Sequence, residues 1–410
     1  MTSSQVQPSG GLQYILIMFA LGMGGFSIGT TEFAAMSLVP YFSAGLGIDE
    51  PTAGHVISAY ALGVVIGAPV LAVFGARMSR RTLLLWLMLA FAGFNVLSAF
   101  SPNYETMLLF RFLSGVPHGA YFGVASLVAA SLVPANKRAQ AVSLVLLGLT
   151  IATIIGVPAA SWLGQSFGWR WGFGVVGVLA GLTVLLVFLY APKDSSNPSA
   201  SLLRELSALK RRQVWLAVLI GAIGFGGMFA VYTYVTSVVF QVIGAPEWMA
   251  LVVLAVFGTG ITFGNLVGAW LADKALMPAV AAILLWSATC LLAYPFAAQQ
   301  IWSLCLVVFF LGGTNGLSPA LQTRLMDVAG DAQTLAAALN HSAFNIANAL
   351  GPLLGGAAIA AGYGLTSTGY VGAALASGGL LFWGIAVWDE RRTNALQAAE
   401  VTPGVTPEGC

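Results

Sequence analysis

Twelve long apolar stretches fill this chain, six before and six after one charged stretch near residue 200. A helix needs about 20 apolar residues to cross a bilayer. The stretches that qualify are 12–38, 54–74, 83–101, 106–133, 139–163 and 171–191, then 214–242, 249–272, 276–297, 300–323, 333–361 and 365–388. In hydrocarbon only helices and closed barrels satisfy every backbone N–H and C=O. The runs are unbroken, without the apolar–polar alternation of a barrel strand. The expected fold is therefore an all-α membrane protein of twelve transmembrane helices, arranged as two six-helix pseudo-repeats. Its parts would be a first half at 1–191, a cytoplasmic linker at 192–213, a second half at 214–390 and a cytoplasmic tail at 391–410.

Composition agrees. Of 410 residues, 58% are hydrophobic and 7% charged. A soluble domain carries about 25% charged residues, so no water-facing surface can be built from this chain. The net charge of +2 points to no nucleic acid or acidic partner. Cys290 and Cys305 fall inside spans and Cys410 is the last residue, which is no disulfide framework. The first Lys or Arg is Arg77, so the first span reads as an uncleaved helix rather than a signal peptide. No phosphate loop ending in Gly-Lys-Ser/Thr, nucleophile elbow or metal-ligand cluster occurs, so neither ATP hydrolysis nor other enzymatic chemistry is expected, and no cofactor.

Orientation follows from the basic residues. Arg77, Arg80, Arg81, Lys137, Arg138, Lys193, Arg204, Lys210, Arg211, Arg212, Lys274, Arg324, Arg391 and Arg392 all fall on one side of the twelve-span plan, and only Arg111 and Arg170 do not. The positive-inside rule places that side, with both termini and the linker, in the cytoplasm of a cell (inner) membrane. Trp162, Trp169, Trp171, Trp215, Trp248, Trp302 and Trp388 lie near span ends, where interfacial anchors belong. Leu202, Leu206 and Leu209 at helical spacing make the linker either an amphipathic helix on the inner face or a plain tether. The halves also resemble each other. Ile151 to Pro158 followed by Gly168 and Trp169 in span 5 parallels Ile346 to Pro352 followed by Gly362 and Tyr363 in span 11. Six-helix repeats with a site between them at the midplane are a transporter plan.

Charges inside spans are costly and need a reason. Glu32 in span 1 and Arg111 in span 4 are expected at the same depth, in the outer half of the membrane, where pairing would make both tolerable. His118 lies two helical turns beyond Arg111 on the same face, and the three would form one polar track. A carboxyl that gains or loses a cationic partner can release or load a proton, which is what proton coupling requires; a permanent structural ion pair is the other reading. His118 is either part of that track or a core histidine bonded to a backbone carbonyl. In the second half, His341, Asn345 and Asn348 form a stripe along span 11, with Asn315 in span 10 and Asn265 in span 8 at similar depth. These are candidate cavity residues or helix glue. Phe229 and Tyr232 share a face of span 7, and the Tyr232 hydroxyl needs a partner. Gly156 and Pro158 in span 5, like Gly351 and Pro352 in span 11, allow close approach and a kink.

Over residues 12–388 the chain resembles the major facilitator superfamily, in its twelve-helix drug/proton antiporter branch, near arabinose-efflux-permease-like and chloramphenicol exporters. The resemblance rests on Gly29, Thr30, Thr31, Glu32 and Phe33; on Gly75, Ala76, Arg77, Met78, Ser79, Arg80 and Arg81; on Arg111 to Gly115; and on Gly156, Val157, Pro158 with Gly164 and Gly168, Trp169, Arg170. It implies the major facilitator fold, a working monomer in membrane lipid, and proton-driven export of a small molecule by alternating access. It assigns proton transfer to the Arg111 stretch and antiport to the Gly156–Pro158 stretch. The loop after span 2 keeps the basic Arg77, Arg80 and Arg81 but holds Ala76 where the family usually has Asp. The loop after span 8 keeps Asp273 beside Lys274, so gating is expected to rest more on Asp273. A sugar, an amphenicol or a nucleoside fits the single deep carboxylate better than a dication does, and import by the same fold would need only the opposite order of proton and substrate.

Overall fold

The computed structural model describes residues 11–75, 78–134, 138–193, 207–330 and 333–401. Ala76, Arg77, Lys137 and most of the linker, including Leu202 and Leu206, lie outside them. The described residues are helical throughout, without a strand. Twelve helices are long and apolar enough to cross a membrane. Spans 1 to 6 are Gly11–Ser37, Glu50–Leu71, Arg80–Ala99, Tyr104–Ser131, Ala141–Phe167 and Trp169–Tyr190. Spans 7 to 12 are Arg212–Val242, Glu247–Lys274, Leu276–Ala297, Ile301–Ala329, Ala338–Tyr363 and Leu365–Ala395. An even number of crossings puts both chain ends and the linker at one end of the bundle, here the linker end; the opposite is the far end.

Local signals set the boundaries. Ser79 caps span 3 by accepting from the Thr82 amide, and Asn103 caps span 4 by accepting from Thr106. A short helix, Val39–Leu46, follows span 1 at the far end and stops at Gly47 in the left-handed region (φ 68°). Span 5 closes at Gly168 (φ 102°, ψ 146°), while span 11 kinks at Gly362 (φ 89°, ψ 7°) and closes at Gly364 (φ 78°, ψ 168°). The stop that matches Gly168 is thus Gly364, two residues beyond the glycine of the repeated stretch. The last helix continues to Val401, past the expected boundary at 388. Its extension is held by charge: Asp389 pairs with Arg212 at 2.8 Å and Glu390 with Arg324 at 3.1 Å.

Packing repeats as well. In the first half span 2 lies on span 4, span 3 on span 6, and span 1 on spans 5 and 6; in the second, span 8 lies on span 10, span 9 on span 12, and span 7 on spans 11 and 12. Glycines permit the closest of these approaches. A Cβ at Gly63 or Gly67 would strike the backbone of Phe112 or Val116 in span 4. One at Gly260, Gly264 or Gly268 would strike Phe309, Gly313 or Gly316 of span 10. Helices in lipid associate through such contacts because burying apolar surface gains little there. The large exposed hydrophobics, such as Trp86, Val178, Leu185, Leu266, Phe296 and Leu381, point outward as a lipid-facing surface does. Trp162, Trp171, Trp215, Trp248, Trp302 and Trp388 are exposed at span ends, as expected. Trp169 is not: it is buried against Phe42 and Phe173, with Arg170 stacked over it.

The halves meet along spans 2 and 11, spans 5 and 8, spans 1 and 7, and spans 4 and 11. A Cβ at Gly258 of span 8 would strike the Thr153 carbonyl, inside the π-turn Ala152–Gly156 that interrupts span 5. Gly264→Val should therefore cost about 1–3 kcal/mol through overpacking, while Gly93→Val, which meets open space, should be neutral. Thermal unfolding of the two purified variants in detergent checks this.

Candidate functional site

The close approach of spans 2 and 4 builds the first half of the site. With Gly63 and Gly67 facing Gly115 and Gly119, Tyr60 lies flat along span 4. Arg111 and His118 are two turns apart on that helix, roughly 10 Å along its axis. The Tyr60 ring lies 4.2 Å beneath the Arg111 guanidinium, and its hydroxyl is 2.9 Å from His118 Nδ1. Arg111 has no exposed surface. Its Nη1 donates to Thr31 Oγ1 at 3.1 Å and to Asn95 Oδ1 at 3.5 Å, and Thr31 itself donates to Asn95 at 2.7 Å. Phe173 of span 6 lies 5.4 Å from the same guanidinium. Arg111 Nε and Nη2 make no hydrogen bond. The cation is accommodated by ring faces and neutral oxygens contributed by spans 1, 2, 3 and 6.

The expected Glu32–Arg111 ion pair does not form: among the described residues no carboxylate oxygen comes within 4.0 Å of the guanidinium. Arg111 instead points into the first half. Glu32, one residue beyond Thr31, points the other way, because successive helical residues are about 100° apart. Its Oε1 accepts from Asn348 Nδ2 of span 11 at 3.0 Å. The carboxylate is buried, and its partner belongs to the other half. His118 is correspondingly joined to Arg111 through Tyr60, so the polar track runs Arg111–Tyr60–His118 and leaves Glu32 outside it. The core-histidine alternative is also modified, since the bond goes to a phenol and not to a backbone carbonyl.

The span 11 stripe faces the first half. Asn348 meets Glu32, and His341 stacks on Phe122 of span 4, with ring centroids 5.6 Å apart and planes 4° from parallel. Phe122 also contacts His118. Asn345 Nδ2 donates back to the His341 carbonyl at 2.9 Å. The Oδ1 atoms of Asn340, Asn345 and Asn348 are buried without a donor. Tyr232 is fully buried between Phe33 (5.2 Å) and Phe257 (4.7 Å), and its hydroxyl has no partner. Phe33 adjoins Glu32, so Tyr232 belongs to the same neighbourhood. Asn315 donates to Asn265 at 2.9 Å and ties span 10 to span 8; no hydrogen bond connects this pair to Glu32 or Asn348.

The expected gating residues lie toward the linker end. Arg80 and Arg81 donate to the carbonyls of Leu127 and Phe188 in their own half. Asp273 is exposed and makes no hydrogen bond or ion pair among the described residues, while Lys274 stacks on Trp270 at 3.6 Å. Gly156 lies in the π-turn of span 5, where a Cβ would meet Thr30 and Phe26 of span 1, and Pro158 follows it. Arg77 lies outside the described residues.

Tyr60, Asn95 and Phe122 carry no sequence signal used above, and Thr31 enters only within the Gly29–Phe33 stretch, yet these four hold Arg111 and His118. The available signal was a polar residue deep in a span: Asn95 is the sole Asn of span 3.

Twelve spans in two packed sets of six, with polar side chains concentrated where the sets meet, define a membrane transporter. Residues 21–282 match the family described as the Major Facilitator Superfamily, and the chain belongs to it. It is 40% identical over 365 residues to the inner membrane transport protein YdhP of Escherichia coli (strain K12), covering 89% of this chain and 94% of that one. It is 33% identical over 394 residues to the chloramphenicol resistance protein of Streptomyces lividans, covering 94% and 98%. A bacterial homologue of the human lysosomal transporter Spinster, solved inward-facing and unoccupied, superposes with a TM-score of 0.76 at 15% identity over 92% of this chain and 98% of that one. The family and these relatives are transporters, not enzymes.

Asn95→Leu removes an oxygen that both Arg111 and Thr31 use. It should destabilise the protein by about 1–3 kcal/mol by stranding a buried donor, and an unchanged melting temperature in detergent would show that the rings and Thr31 suffice to hold Arg111.

Proposed function

We propose that this chain exports a small organic molecule across the cell (inner) membrane in exchange for protons, by alternating access. The observation that carries this reading is the hydrogen bond from Asn348 to Glu32, which joins the buried carboxylate of span 1 to the second half. A hydrogen bond to an ionised carboxylate is about twice as strong as a neutral one. Glu32 is thus a proton site and a fastening between the halves at once.

A cycle follows. With Glu32 ionised, Asn348 ties the halves. A substrate that donates a hydrogen bond to the ionised Glu32, with Asn345 and Tyr232 beside it, competes with Asn348 for that carboxylate and frees the halves to rock. A proton arriving from the other side neutralises Glu32 and displaces the substrate, and the neutral pair resets. Proton and substrate exclude each other at one place, which makes exchange obligatory. His118, Arg111 and Tyr60 position span 1 through Thr31, so they tune Glu32 rather than carry the proton first.

The distribution of basic residues supports placing the linker end in the cytoplasm. Ser58 binds the Ala349 carbonyl (2.8 Å) beside Asn348, and Gln241 binds Glu50 (2.6 Å) at the far end, which supports a state closed to the outside, as an exporter loading from the cytoplasm requires. Asp273, exposed and without a hydrogen bond or ion pair among the described residues, fits a relaxed cytoplasmic gate. The unpartnered oxygens of Asn345, Asn348 and Tyr232, with Phe33, Phe229 and Phe257 around them, suit a neutral molecule with hydroxyl or amide donors and an apolar face. That is the chemistry of an amphenicol or sugar, and the relatives' names include chloramphenicol resistance and a probable sugar efflux transporter of Helicobacter pylori (strain G27), 30% identical over 373 residues.

In proteoliposomes with an imposed pH gradient, wild-type protein should move one class from a panel of sugars, amphenicols and nucleosides against its gradient. Glu32→Gln should lose gradient-driven movement and keep downhill exchange. Gradient-driven transport surviving in Glu32→Gln rules out Glu32 as the proton site.

A further inference from the structure

At the far end the halves are closed by packing and by one carboxylate. Tyr234 of span 7 seats its hydroxyl in the notch left by Gly54 of span 2 and donates to the Pro352 carbonyl at 2.9 Å. Gly356 of span 11 leaves room for Pro51, which a Cβ there would meet at 3.3 Å. Tyr41 meets Phe240 edge-on at 6.0 Å. All of these contacts are neutral. Glu50, the first residue of span 2, differs. Its Oε1 accepts from Gln241 Nε2 of span 7 at 2.6 Å, and the Ser237 hydroxyl of the same span also faces the carboxylate. The neighbouring Asp49 turns to its own half and accepts from the Thr52 amide at 2.8 Å.

We propose that Glu50 and Gln241 form the latch that holds the far ends of the two halves together, and that Glu50 is a positioning residue for alternating access. Three features suit it to the task. Gln241 sits in the π-turn Val238–Val242, and a π-turn adds a residue that re-aims the side chains after it, often at functional sites. Gln241 is exposed and Glu50 half-buried, so water can replace either partner when the halves separate. The Ser237 hydroxyl beside the carboxylate lowers the cost of half-burying it in the closed form. A latch that is directional, charge-assisted and cheaply hydrated can open in every cycle, which apolar packing alone would resist. The inference rests on the carrier reading above, and it adds a residue at the outer seal that takes no part in proton exchange at Glu32.

Spin labels at Glu105 and Gln299, exposed far-end positions in the first and second halves, report the separation of the halves. They are introduced into the full-length protein with Cys290, Cys305 and Cys410 replaced by Ala, in nanodiscs. Wild type should be mainly narrow. Glu50→Ala and Gln241→Ala should each move the ratio of wide to narrow forms roughly tenfold toward wide, the lower range for losing a hydrogen bond to a charged group. Exchanging the pair, Glu50→Gln with Gln241→Glu, should restore the narrow form. A wild-type distribution in both alanine variants overturns the latch. If an alanine variant does not fold, the exchanged pair beside Gln241→Glu alone still decides: narrow in the exchange and wide in the single change supports it, and equal distributions overturn it. Failure of the carrier reading looks different, because then neither substrate nor pH shifts the wild-type distribution and nothing is transported.

Discussion

Hydrocarbon gives helices no reason to associate by hiding apolar surface, so this bundle depends on how closely its backbones can approach. The glycines of spans 2, 4, 8 and 10 bring main chains together, and the cross-half contacts of Gly258 and Gly54 do the same between the halves. Close approach has a second effect. It leaves no space for water around the few polar side chains, so each must find its partner inside the protein. The position of every polar group in the structure follows from that requirement.

Arg111 and Glu32 answer it differently. The guanidinium spreads its charge over a large planar group and can be accommodated by ring faces and neutral oxygens. Four helices of the first half supply these, and the result binds those helices to one another. The carboxylate is compact and accepts directionally, and its partner is supplied by the other half. A charge satisfied within one half makes that half rigid. A charge satisfied across the interface makes the interface responsive to whatever competes for it, whether a proton or a substrate. The same logic applies at the far end, where Glu50 again takes its donor from the opposite half while Asp49 beside it does not.

Asn340, Asn345, Asn348 and Tyr232 of the second half keep buried oxygens without partners, whereas in the first half Thr31, Asn95, Arg111, Tyr60 and His118 are joined in one chain. In the exchange proposed above, these unpaired acceptors around the Glu32 carboxylate would recognise an uncharged molecule, with the proton handled by the first half and the substrate by the second.

Hydropathy and length determined the twelve spans, because a helix in lipid is specified by about 20 consecutive residues and needs no distant partner. The same local signals marked Glu32, Arg111, His118 and Asn348 as unusual, and the repeated stretches that lead to Gly168 and Gly362 were visible as a repeat. Which polar residue meets which was not determined there. Glu32 and Arg111 lie at one depth on neighbouring helices, and depth can be counted along a sequence, but rotation about the helix axis cannot. Tertiary packing fixed that rotation, turning Thr31 toward Arg111 and Glu32 toward span 11. It also promoted Tyr60 and Asn95 from ordinary span residues to the partners of a buried charge, because only the contact between spans 2, 3 and 4 brings them within reach.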